Sequence, residues 1–197
     1  MPKAMTEPTR VTAPSRPQLR LVGNAADSST ATGRTAAHPD LTSIYRDHSS
    51  YVATVGFRLL GNDAELDDLV QEVFIEAAHG LSQLRDPSAV RGWLARICVR
   101  RSVRRLRRRR LRQMLHLDDV ANHVESTPPL APEQLADVRR AYRVLERLPA
   151  DERVVWILRY IEGESLDEIA QLCDCSKSTV QRRIRAAQAR FDREVSR

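Results

Sequence analysis

The chain has 197 residues, of which 42% are hydrophobic, 29% charged and only 5% aromatic. Its net charge of +6 and pI near 9.8 favour a polyanionic partner. The longest strongly apolar stretch, Val154–Leu158, falls far short of the roughly 20 residues of a spanning helix, so no membrane insertion is expected.

Residues 1–39 hold five of the ten prolines among many Ser, Thr and Ala, with almost no apolar periodicity. Such a segment cannot bury enough apolar surface to offset its ordering entropy, and it reads as a disordered tail. It lacks the apolar core of a signal peptide.

A helical domain is expected over 40–113. Ile44, Tyr45, Val52, Val55 and Leu59 recur at helical spacing until Gly61-Asn62 supplies a stop. A second helix follows, with Asp63 as its expected cap and Leu66, Leu69, Val70, Val73, Phe74 and Ala77 on one face. Six acids and no Lys or Arg lie between Asn62 and Glu76; Asp68, Gln71, Glu72 and Ile75 share one face. That face suits a basic protein partner and equally suits plain solvation.

The third helix is expected from about Ala89 to Arg112, with Trp93, Leu94, Ile97, Val103 and Leu106 as its core stripe. Around that stripe stand eleven arginines, including Arg91, Arg96, Arg100, Arg101, Arg104 and Arg108. So dense a charge is self-repelling unless anions neutralise it, and the planar guanidinium fork suits phosphates.

Periodicity is lost over 114–132, which contains Pro128-Pro129 and Pro132 and reads as a linker. It returns over 133–197, broken at Leu148-Pro149, Glu162-Gly163 and Cys173-Asp174-Cys175. Ser165 and Glu168 have the spacing of a capping box, so a helix starts there; Ser176 caps the next one after a three-residue turn. On that last helix Val180, Ile184, Ala187 and Phe191 form the inner stripe. The outer face presents Lys177, Ser178, Gln181, Arg182 and Arg185. Apolar anchoring on one side and polar or cationic groups on the other is what a DNA-recognition helix requires.

The scattered histidines form no carboxylate–nucleophile pattern, and no Gly-rich phosphate loop is present. Cys98, Cys173 and Cys175 lack the further ligands of a zinc site and give no disulfide framework. No catalysis, metal or cofactor is therefore expected, and a reducing cytoplasm is the natural compartment. Trp156 and Tyr160, at i and i+4, read as core and not as a base-stacking platform.

With these segments in hand, the chain resembles the extracytoplasmic-function (ECF) group of bacterial RNA polymerase sigma factors, in the sigma-70 family. The resemblance covers roughly Leu41 to Glu194. Asp68-Leu69-Val70-Gln71-Glu72-Val73-Phe74 is similar to the family's D-L-x-Q-E-x-F motif, and Trp93-Leu94 with Ile97 to its W-L-x-x-I motif. Leu148-Pro149, Arg153, Leu158, Ser165, Glu168-Ile169-Ala170, Leu172, Thr179-Val180 and Arg183 are similar to its −35-binding pattern.

The resemblance implies an all-α protein, with a sigma region 2-like bundle and a region 4-like helix-turn-helix domain joined by an irregular linker. It implies that Asp68, Leu69, Gln71, Glu72 and Phe74 bind the β′ clamp helices of core RNA polymerase. Arg91, Trp93, Arg96, Arg100, Arg101, Arg104 and Arg108 would bind −10 DNA, with a flipped base captured near Leu84–Arg91. Ser176, Lys177, Ser178, Thr179, Gln181, Arg182 and Arg185 would bind −35 DNA, and the polymerase β flap would be a further contact. A free monomer and an anti-sigma partner are also implied. This sequence departs from the family in having Arg100 and Arg104 where Asn and Asp are common, which implies more phosphate binding. Asp174 replaces the turn glycine, and it tolerates a left-handed backbone better than most residues. The competing reading is a stand-alone regulator that binds a palindromic operator as a dimer. The D-L-x-Q-E-x-F motif favours the sigma reading, since a sensor domain has no reason to carry it.

Overall fold

The computed structural model describes residues 40–84, 86–115 and 132–195, with the helical backbone alone for 132–139 and 194–195. The expected tail (1–39) and all but the ends of the expected linker lie outside the described residues.

Every regular element among the described residues is helical. Helix α1 (Leu41–Leu60) begins where the Asp40 carboxylate accepts the Thr42 N–H at 2.7 Å, and it ends at Gly61, whose φ of +75° is left-handed. Helix α2 (Leu66–Gly80) starts later than the acidic run suggests. Glu65, not Asp63, occupies its N-cap position, because the Asp63 carbonyl is already closing a turn onto the Leu66 N–H at 2.9 Å. Two single 3-10 turns, Leu81–Gln83 and Pro87–Ala89, lead into α3 (Val90–Met114), which runs two residues beyond the expected end.

The second half holds α4 (Pro132–Arg147), α5 (Ala150–Tyr160), α6 (Leu166–Leu172) and α7 (Lys177–Val195). The breaks fall where Leu148-Pro149, Gly163 and the Cys173–Cys175 turn placed them.

In the first domain, Val52, Val55 and Leu59 of α1 meet Leu69, Val73 and Ala77 of α2 and Leu94, Ile97 and Cys98 of α3. Gly56 lets α1 and α2 cross closely, since a Cβ there would stand 2.7 Å from Leu69 Cδ2. In the second domain, Val154, Val155, Ile157 and Leu158 of α5 pack on Ile169, Leu172, Val180 and Ala187 of α6 and α7. Trp156 stacks on Phe191 at 5.0 Å and donates to Gln188 Oε1, consistent with the core reading, whereas Tyr160 is half exposed.

The expectation of two small helical domains needs one addition. The two do not merely share a chain: α5 and α6 rest on α3, α5 touches α1, and the buried apolar residues form one continuous cluster.

Candidate functional site

Three surfaces carry the residues that the sequence singled out. The first is α2. Asp67, Asp68, Gln71, Ile75 and His79 are exposed along one side of it. Leu69 is fully buried and Phe74 nearly so, with the Tyr45 ring edge-on to Phe74 at 4.8 Å. In this structure both side chains anchor α2 in the core, while those of Asp68 and Gln71 are exposed. The opposite edge of the helix faces α3. There Glu72 accepts Arg105 at 2.8 Å and lies 3.5 Å from Arg101, while Glu76 pairs with Arg101 at 2.6 Å and with Arg100. Glu65 gathers Arg105, Arg109 and Arg112 at 3.3–3.6 Å.

This ladder relieves part of the self-repulsion of the arginine helix from within. Five of the eleven arginines pair with three glutamates of the preceding helix and its cap, which offset part of their charge and leave the cluster net positive. Glu72 thus belongs to the α2–α3 joint. Nothing in the helical period of either segment reveals this pairing.

The second surface is the outer side of α3. Arg96, Arg100, Arg104 and Arg108 recur at i+4 and are exposed, a cationic stripe about 18 Å long. Arg100 shares its charge with Glu76; Arg96, Arg104 and Arg108 take no carboxylate among the described residues. Arg101 is turned inward to α2. Trp93 is half-buried against Gly80, where a Cβ would come within 2.9 Å of its ring. Arg91 lies over the Tyr51 ring at 4.3 Å. The loop before α3 is held by Asp86, whose carboxylate accepts both the N–H and the hydroxyl of Ser88. These bonds hold its carboxyl below the usual range.

The third surface is the helix-turn-helix. Ser165 and Glu168 form both halves of the capping box at the start of α6. Asp174 adopts φ +50°, the left-handed turn conformation that its side chain tolerates, and Cys175 N–H closes onto the Ala170 carbonyl at 3.0 Å. Ser176 Oγ accepts the Thr179 N–H at 3.2 Å, starting α7. Lys177, Ser178, Gln181, Arg182 and Arg185 are exposed, Lys177 reaching Asp167 at 2.9 Å. Ser176 and Thr179 spend their hydroxyls on each other and on the cap, so they shape the helix start. Arg183 turns the other way, to Asp151 at 3.1 Å.

A polar joint between the domains was not anticipated. Arg58 donates to both carboxylate oxygens of Glu162 at 2.7 and 2.8 Å, and the Glu162 side chain is 2% exposed. Arg153, also buried, donates to the Leu60 carbonyl at 2.7 Å; burial lowers its pKa to about 10. Tyr142 donates to the Arg58 carbonyl, and Arg107 clamps Asp151. Glu164 is buried near Glu168, Glu162 and Arg91, and burial pushes its carboxyl up to about 8. Arg153 was visible as a motif residue, but nothing in the sequence revealed its partner 93 positions away.

Burial pushes the Cys98 and Cys173 thiols up to about 12. Among the described residues no three His, Cys, Asp or Glu side chains cluster as metal ligands, and no helix is long and apolar enough to cross a membrane.

Residues 44–112 match the family model described as Sigma-70 region 2, and residues 139–190 the one described as Sigma-70, region 4. The chain is 33% identical over 161 residues to the ECF RNA polymerase sigma factor SigE of Mycolicibacterium smegmatis, covering 78% of this chain and 61% of that protein. It is 35% identical over 141 residues to the ECF RNA polymerase sigma-E factor of Escherichia coli K12, covering 66% and 74% respectively. Among solved structures, the fold is similar to RpoE from Bartonella quintana, in complex with the anti-sigma factor NepR. The TM-score is 0.58 at 23% identity, over 77% of this chain and 94% of that one. It is also similar to CnrH in complex with the cytosolic domain of CnrY, at a TM-score of 0.52 and 26% identity, over 79% and 87%.

Proposed function

The chain belongs to the ECF group of the sigma-70 family, and from that premise we propose how its surfaces divide the work of starting transcription. It binds core RNA polymerase and directs it to promoters by recognising −10 and −35 elements. Residues 40–113 serve polymerase and the −10 element, and residues 133–197 serve the −35 element.

The observation that carries the reading is the division of charge on the first domain. The exposed side of α2 keeps Asp68 and Gln71 free of the arginine ladder, leaving an acidic and amide surface for the β′ clamp helices. On α3, Arg96, Arg104 and Arg108 face outward for the phosphates of the −10 strand, joined by Arg100 when it leaves Glu76. Arg91 and Trp93 shape the base-capture loop: both are half-buried, and Arg91 covers Tyr51. On α7, Lys177, Ser178, Gln181, Arg182 and Arg185 enter the major groove of the −35 duplex, positioned by the Ser176 cap.

The chain supplies binding energy for melting and no covalent chemistry of its own. It acts in the cytoplasm, where polymerase is found, and is a monomer when free. One solved relative is held by an anti-sigma factor, and a partner of that kind is part of the proposal for this chain.

The test is assembly with core polymerase. Asp68 is exposed, so Asp68→Arg should leave the helical content unchanged while weakening association at least tenfold. Wild-type chain that fails to associate, or an Asp68→Arg chain that associates as well as wild type, would overturn the assignment of α2.

A further inference from the structure

The exposed side of α2 is mixed in chemistry. Asp67 and Asp68 stand at one end, outside the arginine ladder. Ile75 stands at the other, with the Tyr45 ring of α1 beside it on Phe74; Ile75 and Tyr45 are each about half exposed. Between Asn62 and Gly80 the chain has no Lys or Arg of its own, so this strip is acidic on a protein whose net charge is +6. An occupant must bring cations to one end and apolar side chains to the other.

The chain carries such a segment. Residues 1–39, which lie outside the described residues, hold Lys3, Arg10, Arg16, Arg20 and Arg34 against only Glu7 and Asp27. Their densest apolar run, Leu19, Leu21 and Val22, is interleaved with Arg20 and follows Arg16. Pro17 disfavours a helical backbone at Arg16, which biases the segment toward extended forms. Seven extended residues cover about 23 Å, and the 15 residues of α2 rise about 22 Å. Residues 23–39, rich in Ala, Ser and Thr, join the segment to Asp40 at the start of α1, close in sequence to Tyr45. A linker of that length spans roughly 25 Å on average and about 60 Å at full stretch. A contact closed through it works at an effective concentration on the order of 1 mM, so even a weak one is populated.

We propose that residues 16–22 of the chain lie across the exposed side of α2 in the free protein and compete with polymerase for it. Arg16 and Arg20 face the Asp67–Asp68 end, and Leu19, Leu21 and Val22 cover Ile75 and Tyr45. The competition rests on the reading of α2 as the polymerase face; the contact itself does not. While the segment is seated, polymerase meets only the fraction of chains whose α2 is uncovered, and its apparent affinity falls by that fraction.

Charge reversal in the full chain tests this. Arg16→Glu/Arg20→Glu sets like charges against Asp67 and Asp68, and Arg16→Lys/Arg20→Lys keeps the original sign. Circular dichroism checks that the helices persist. In nuclear magnetic resonance spectra, the reversed chain should show shifted amide signals for Asp68, Gln71 and Ile75 and unmoved ones for Gln181 and Arg185, with the lysine chain close to wild type. The reversed chain should associate with core polymerase about three- to tenfold more tightly than wild type, and the gap should narrow as salt screens the contact. Unmoved α2 signals would overturn the contact, and if the reversed chain then also binds promoter DNA less tightly, the segment belongs on nucleic acid instead. Shifted α2 signals with equal or weaker assembly would overturn the competition. Should no form associate with polymerase, the sigma reading of α2 fails, while the α2 signals still decide the contact.

Discussion

Two glycines separate the strain of a turn from the geometry of the domain joint. Gly61 and Gly163 have nearly the same left-handed backbone, φ +75° and +79°. Alanine at either position carries the steric cost of that conformation, about 1–2 kcal/mol. Their surroundings differ: at Gly163 a Cβ meets nothing within 4 Å, whereas at Gly61 it meets Arg153 and Tyr142. The guanidinium can swing away only by leaving the Leu60 carbonyl, a charge-assisted hydrogen bond worth about 1.5–3 kcal/mol. Gly61→Ala should therefore destabilise the chain by about 1.5–3 kcal/mol more than Gly163→Ala. Urea unfolding followed by far-UV circular dichroism measures both, and at constant slope the shift in midpoint gives the difference. Equal destabilisation of the two variants would refute the fit of Gly61 to Arg153, and with it the reading of Arg153 as a cap on α1.

The buried Glu164 gives a pH signature. Its folded pKa of about 8 lies above the ordinary 4.5, so between those values the folded chain holds a proton that the unfolded chain has released. Stability should fall as pH rises through this window, by up to a few kcal/mol, and level off above it. Glu164→Gln should flatten the fall in melting temperature between pH 6 and pH 9, and an equally steep fall in that variant would contradict the assignment. On α3, Arg104→Ala/Arg108→Ala should weaken binding to −10 single strands. It should also reduce the slope of log affinity against log salt by about 1.4, near 0.7 for each phosphate that an arginine no longer neutralises. A slope identical to wild type would remove both residues from the phosphate path.

What could be read from the sequence was what local chemistry decides. The Ser165–Glu168 box, the stop at Gly61, the start of α7 at Ser176 and the left-handed Asp174 each depend on neighbours a few residues away, and each formed as expected. The outer face of α7 followed from the helical period. The motif Asp68 to Phe74 was visible, but a motif does not say which of its side chains face out, and Leu69 and Phe74 proved to be core. Asp63 failed as a cap because its backbone was committed to a tighter turn. The arginine ladder and the polar joint between the domains were illegible for a different reason. Arg105 with Glu65 and Glu72, or Arg58 with Glu162, pair residues up to 104 positions apart, and no spacing rule connects charges on separate helices.

Transcription in vitro decides whether this chain confers promoter specificity on core polymerase. Purified core enzyme should start at discrete sites only when the chain is added, and those starts should share −10 and −35 sequences. If no discrete starts appear, and the chain alone instead binds a palindromic duplex tightly as a dimer, the sigma account is contradicted.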